Sequence, residues 1–155
     1  SSTKTIYCSG TLIAPTIVVT AGHCVVEDNV TIGGVCGFSQ FTRIGKYSFI
    51  AGASIANKDI LPFSRAEGHW ARVRATNKVG LIRKGFEKDE VANIHKAIRI
   101  VIMGSHTLEE AFNRIEAECK PSENIEYLVN FIKSSKRGIA ITKAPYESPT
   151  TMAED

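Results

Sequence analysis

The residue best suited to chemistry is His23, in the run Val18-Val19-Thr20-Ala21-Gly22-His23-Cys24. An imidazole titrates near neutrality and can take a proton from a hydroxyl, so His23 is a candidate general base. Peptide hydrolysis would also need a serine nucleophile and an orienting aspartate. Asp59-Ile60-Leu61 supplies an aspartate, but no Gly-Asp-Ser-Gly-Gly run accompanies it, so the sequence assembles no triad. A second concentration is basic: Arg65, Arg72, Arg74, Lys78, Arg83, Lys84 and Lys88, with His69 and Trp70 between them. Crowded on one segment, these cations suit phosphates or an acidic protein, and a solvated face is the plainer alternative. Trp70 suits anchoring of that segment better than ring stacking on a ligand. His95 and His106 have no partner set in the sequence and read as structural or exposed.

Composition bounds the possibilities. The chain of 155 residues is about one domain, and 43% apolar with 23% charged residues is ordinary for a globular protein. A net charge of +3 is too small to argue for nucleic acid. No apolar run is long enough for a membrane-spanning helix. Ser1–Thr5 leads into no long apolar core, so no signal peptide is read there, and a processed terminus or a fragment is expected. Cys8, Cys24, Cys36 and Cys119 lack zinc-ligand spacing, and no metal site is expected.

From Val26 the sequence falls into sixes: VEDNVT, IGGVCG, FSQFTR, IGKYSF, IAGASI. The first place is large and apolar (Val26, Ile32, Phe38, Ile44, Ile50), the second mostly small, the fifth small or short-branched. Looser matches reach back to Ala14, so residues 14–55 supply seven units. Such a pattern suits a left-handed parallel β-helix, three units per turn, with the large residue inward and the small fifth residue at the tight corner. The expected fold is therefore mainly β with α. Residues 1–13 are an uncertain N-terminal segment, 14–60 the coils, 61–85 a basic connecting loop, 86–142 a three-helix subdomain and 143–155 a tail. The helices are read from the stripe Val91, Ile94, Ala97, Ile98, Val101, from the capping box Thr107 to Glu110, and from Ser122 leading to Ile125, Leu128, Val129 and Ile132.

Two resemblances lie in these residues. The run CSGTLIAPTIVVTAGHC resembles the segment around the histidine of a trypsin-like serine protease, which would imply a Cys8–Cys24 bridge; otherwise all four cysteines are small apolar residues of a reducing compartment. The runs AGHCVVEDNVTIGG, QFTRIGKYSFIAGASIANKD and RAEGHWARVRATNKVGLIRKGF, with three helices after them, resemble the C-terminal half of the acyl-[acyl carrier protein]–UDP-N-acetylglucosamine O-acyltransferases of lipid A biosynthesis, over roughly residues 20–142.

The second resemblance implies a cytoplasmic homotrimer with sites between subunits. It implies transfer of a 3-hydroxyacyl group from acyl carrier protein to UDP-N-acetylglucosamine, with no cofactor beyond the phosphopantetheine that the carrier protein brings. His23 matches the histidine of the family's Ala-Gly-His motif, beside the sugar nucleotide, and is the one catalytic candidate. Gln40 matches the glutamine of a His-Gln-Phe motif whose histidine is Ser39 here. His69 falls in an altered Gly-Asn-His segment, and Asn77, Arg83 and Lys84 match the segment on the nucleotide and carrier-protein side. The family's base histidine, about nineteen residues before the Ala-Gly-His histidine, has no counterpart in Ser1–Cys8, so normal transfer is not expected of these residues. The alternatives are a protease fragment, a non-catalytic trimeric remnant, or a join of two unrelated sequences near residues 18–24.

Overall fold

A computed structural model describes the backbone of residues 4–9, 12–14, 16–103 and 106–141, with side chains from residue 24 onward. Three strands open the chain: the shorter β1 (Lys4–Ser9) and β2 (Leu12–Ala14), then the long β3 (Thr16–Val26). Two-residue and three-residue strands follow at regular intervals: β4 (Thr31–Ile32), β5 (Cys36–Phe38), β6 (Arg43–Ile44), β7 (Phe49–Ile50) and β8 (Ile55–Ala56). They pair in parallel at a spacing of one three-hexad turn. Val18 lies against Cys36, Val25 against Arg43, Thr31 against Phe49, and Gly37 against Ile55.

Three faces result. The first stacks the start of β3, then β5 and β8. The second stacks the end of β3, then β6, then Ile60. The third stacks β4, β7 and β9 (Ser64–Gly68). Antiparallel β1 and β2 cover the outer edge of β3, which would otherwise present unpaired N–H and C=O groups.

The sixes translate into packing with one correction. First-place Phe38, Ile44 and Ile50 are buried, as are fifth-place Cys36, Thr42, Ser48 and Ser54. The corner itself falls on the fourth place, not the fifth. Asn29, Val35, Phe41, Tyr47 and Ala53 all carry φ between 57° and 66°. A non-glycine residue there costs about 1 kcal/mol or more. It is held by the flanking ladder bonds, such as Gly33 N–H to Ile50 C=O at 2.7 Å and Gly37 N–H to Ser54 C=O at 2.9 Å. The fourth side chain leaves the interior of the coil: Val35 is 63% and Phe41 61% exposed, and Tyr47 packs against Phe63 and Phe86 instead. The fifth turns back inside, where only a small group fits. The hydroxyls of Thr42 and Ser48 find no hydrogen-bond partner there among the described residues.

Residues 61–85 are not a loop. Parallel pairing continues past residue 60, with Phe49 against Arg65 and Ile44 against Ile60. From β9 the chain turns back into β10 (Ala71–Thr76) as an antiparallel hairpin, followed by the short helix α1 (Lys78–Arg83). Small residues alternate with charged ones in both strands: Ser64, Ala66, Ala71 and Val73 are buried, while Arg65, Glu67 and Arg74 are exposed. That period of two is what a half-buried hairpin requires.

Three longer helices complete the chain: α2 (Lys88–Ile102), α3 (Leu108–Glu118) and α4 (Glu123–Lys133). The expected stripe of α2 is buried, Thr107 and Glu110 form a full capping box on α3, and the Ser122 hydroxyl caps α4 by accepting from the Ile125 N–H. The helices are fixed to the coils by polar contacts. The Tyr127 hydroxyl donates to the Glu27 carboxylate, which also accepts from the Lys46 N–H at 2.9 Å. The Lys46 ammonium sits 3.9 Å above the Tyr127 ring, and the Arg43 guanidinium 4.2 Å above that of Phe131. Burial, then the Glu27 contact, push the Tyr127 phenol far above its ordinary range, so it stays a donor.

Candidate functional site

On the third face, the hairpin and α1 enclose a pocket of about 430 Å³. Its floor is a column of register partners, Thr31, Phe49 and Arg65, one from each successive strand of that face. Its rim is α1 with Lys78, Arg83 and Lys84. Four cations therefore border one cavity, and no acid lines it. The Arg65 guanidinium lies 5.4 Å over the Phe49 ring, which orients it without neutralising it. Such a pocket is built to attract an anion carrying more than one negative charge.

Asn77 positions this rim. Its Oδ1 accepts from the Gly80 N–H at 3.3 Å, capping α1, and its Nδ2 donates to the Tyr47 C=O at 3.0 Å. A Cβ at Gly80 would come within 2.3 Å of the Asn77 amide, so glycine is required where the cap folds back. The amide's main polar functions are thus spent on holding the helix against the coils.

Beside this pocket, His95 Nδ1 lies 2.9 Å from the Thr76 hydroxyl. Burial first, then the Lys78 and Arg99 charges, hold the His95 imidazole below its ordinary range, which keeps it neutral at neutral pH. His106 makes a structural contact, its Nε2 lying 2.7 Å from the Ile100 C=O.

The other expected site residues are spread over the surface. His69 is exposed on the first face, bridged to Ile55, with its ring 4.7 Å from that of Trp70. Gln40 is exposed just before β6, and its backbone C=O accepts from the Arg137 guanidinium. His23 lies in β3 with its backbone opposite Tyr7, and its side chain is outside the described residues, as is any Cys8–Cys24 bridge. The structure thus brings Asn77, Arg83 and Lys84 together and leaves Gln40 and His69 apart from them. It also recruits Thr31 and Phe49, which were missed, although their spacing of one full turn is the signal that finds them.

No triad aspartate is available in Asp59. It is 1% exposed, accepting from the Arg43 N–H at 2.9 Å and the Ser135 hydroxyl at 2.7 Å. Among the described residues, no three His, Cys, Asp or Glu side chains are placed to hold a metal, and no helix is long and apolar enough to cross a membrane.

Comparison with known proteins divides the chain. Residues 59–140 match the family model described as UDP N-acetylglucosamine O-acyltransferase, domain 2, and residues 1–59 match that of trypsin. An acyl-[acyl-carrier-protein]–UDP-N-acetylglucosamine O-acyltransferase from Myxococcus xanthus is 40% identical over 114 residues, 74% of this chain and 44% of the relative. Among solved structures, a UDP-N-acetylglucosamine acyltransferase from Campylobacter jejuni is 36% identical with a TM-score of 0.73, over 83% of this chain and 50% of that one. The Francisella novicida UDP-N-acetylglucosamine acyltransferase is 30% identical with a TM-score of 0.75, over 81% and 46%. The chain spans about half the length of the relatives it matches. With a domain match over more than half of its residues, the chain belongs to the UDP-N-acetylglucosamine O-acyltransferase family.

Proposed function

We propose that the chain is the substrate-binding, C-terminal half of an acyltransferase that moves a 3-hydroxyacyl group from acyl carrier protein to UDP-N-acetylglucosamine in lipid A biosynthesis. The observation that carries this reading is the four-cation pocket of Arg65, Lys78, Arg83 and Lys84, all of which lie inside the family match. The diphosphate of the nucleotide, or the acidic carrier protein with its phosphopantetheine, supplies the charge that such a pocket needs. Arg83 and Lys84 would meet those anionic groups, Asn77 would hold the rim that presents them, and Gln40, His69 and His23 would lie toward the sugar.

These groups occupy different faces of one chain. A single substrate would reach them together only where one chain's third face meets another chain's neighbouring face, which favours a trimer of left-handed β-helices with sites between subunits. The 18-residue parallel register, read from pairs such as Thr31 with Phe49, supports that architecture. A cytoplasmic setting follows from both substrates being cytoplasmic.

Transfer requires a base to take the proton of the sugar 3-hydroxyl as its oxygen attacks the thioester carbonyl, and donors to stabilise the oxyanion before the thiol leaves. The base histidine of the family has no counterpart before His23. Residues 1–155 alone should therefore bind substrate and fail to turn over. Sedimentation equilibrium should give about three times the 16.9 kDa chain mass, and a transfer assay with hydroxyacyl carrier protein and UDP-N-acetylglucosamine should show no product. A monomer, or ordinary turnover, would refute this reading.

A second reading has one observation behind it. The trypsin match over residues 1–59 favours a join in which protease-like strands precede the acyltransferase segment. It does not favour proteolysis, because Asp59 is engaged elsewhere and residues 24–59 form parallel coils.

A further inference from the structure

We propose that the groove between α3 and α4 is a docking site for a basic amphipathic helix of a partner protein. This groove encloses about 580 Å³ and lies on the helical part of the chain, with none of its lining residues shared with the cationic pocket. Its floor is apolar, with Ile115 from α3 and Ile125 and Val129 from α4. The 11 residues of each helix give a trough about 16 Å long, enough for about three turns of a third helix.

Charge selects the occupant. Glu116 stands on the α3 wall and Glu126 on the α4 wall, both exposed and neither in an ion pair among the described residues. Facing carboxylates on opposite walls would grip lysines or arginines on both flanks of a helix whose apolar stripe fills the floor. The one cation, Lys133, closes a single end, with its ammonium 5.2 Å over the Phe112 ring. It fixes direction, because the negative C-terminal end of the incoming helix is favoured beside it. Acidic partners are repelled from these walls and drawn to the four-cation pocket instead, so the chain offers two surfaces of opposite preference.

Fluorescence anisotropy tests this with the full chain and a labelled helical peptide of about 15 leucines and lysines, leucines spaced i, i+3, i+4, i+7. Saturable binding is expected, weakened about tenfold by the double variant Glu116→Lys/Glu126→Gln, with the circular dichroism melt unchanged. A peptide with glutamate in place of lysine should not bind. Wild-type affinity in the double variant, or equal capture of the glutamate peptide, overturns the proposal. Displacement of the lysine peptide by laurate would also overturn it, assigning the groove to an acyl chain, and displacement by a peptide of residues 142–155 would assign it to the chain itself. None of these outcomes bears on UDP-N-acetylglucosamine binding, which is read separately.

Discussion

Gly45→Ala is expected to destabilise the protein by about 3 kcal/mol, because a methyl group there has nowhere to go. The added carbon would sit 2.4 Å from the Pro62 nitrogen and 2.6–2.7 Å from its Cδ and Cα. Both partners are fixed. Gly45 donates its N–H to the Ile60 C=O at 2.9 Å, and the neighbouring Phe63 N–H donates to the Lys46 C=O at 2.8 Å. Moving Pro62 aside would therefore break the ladder that stacks the last coil on the one before it. Gly33 is confined in the same way, 2.4 Å from the Gly52 nitrogen. Gly34 next to it is exposed, with nothing within 4 Å of an added Cβ, so Gly34→Ala should change stability by no more than about 0.5 kcal/mol. Urea denaturation of the two variants measures the contrast. Equal midpoints would mean that the coils do not stack at this spacing.

Asp59→Ala should cost about 3–5 kcal/mol, the larger of the two effects. The buried carboxylate accepts from the Arg43 N–H and from the Ser135 hydroxyl, and each bond to a charged acceptor contributes about 1.5–3 kcal/mol. Its backbone extends the same clasp. The Asp59 N–H donates to the Gly138 C=O at 3.0 Å and the Ala140 N–H donates to the Asp59 C=O at 2.8 Å. The Val73 N–H in turn donates to the Ala140 C=O at 2.7 Å, so residues 138–140 are held between the end of the coils and the hairpin. Asp59→Asn keeps the shape and an acceptor oxygen and should cost markedly less. Thermal melts followed at the helical and aromatic bands should shift together in Asp59→Ala. Loss of one signal without the other would show that this carboxylate does not couple helices to coils.

Much of this architecture is legible from residue types. Large residues at the first place and small ones at the fifth predict inward positions, and Ile44, Ile50, Ser48 and Ser54 occupy them. The corner is not legible, because Asn29, Val35, Phe41, Tyr47 and Ala53 share a backbone angle and no chemistry. Asn29, Val35, Phe41 and Ala53 are exposed while Tyr47 packs on Phe63 and Phe86, so no shared packing selects one size at this place. The hairpin was hidden by its charges: Arg65, Glu67, Arg72 and Arg74 make the segment read as a loop, while the alternating Ser64, Ala66, Ala71 and Val73 are too small to draw attention. Helix α1, with six residues, is too short for a periodic signal, although Asn77 followed by Gly80 marks its cap.

The candidate site divides along the same line. Arg83 and Lys84 are legible because a sequence motif carries them, and Lys78 and Arg65 because they crowd one segment. Thr31 and Phe49 join them only through the register of the third face, a relation between residues far apart in sequence. Of the basic cluster, Arg72, Arg74 and Lys88 line none of the pocket. The Arg72 guanidinium donates to its neighbour, the Ala71 C=O, at 2.8 Å.

Calorimetric titration of UDP-N-acetylglucosamine into the chain tests the central claim most directly. The account predicts saturable binding that weakens about tenfold in Arg83→Ala, the loss expected for one charge-assisted contact to a diphosphate. Absence of binding to the wild-type chain, or equal affinity in Arg83→Ala, would contradict it.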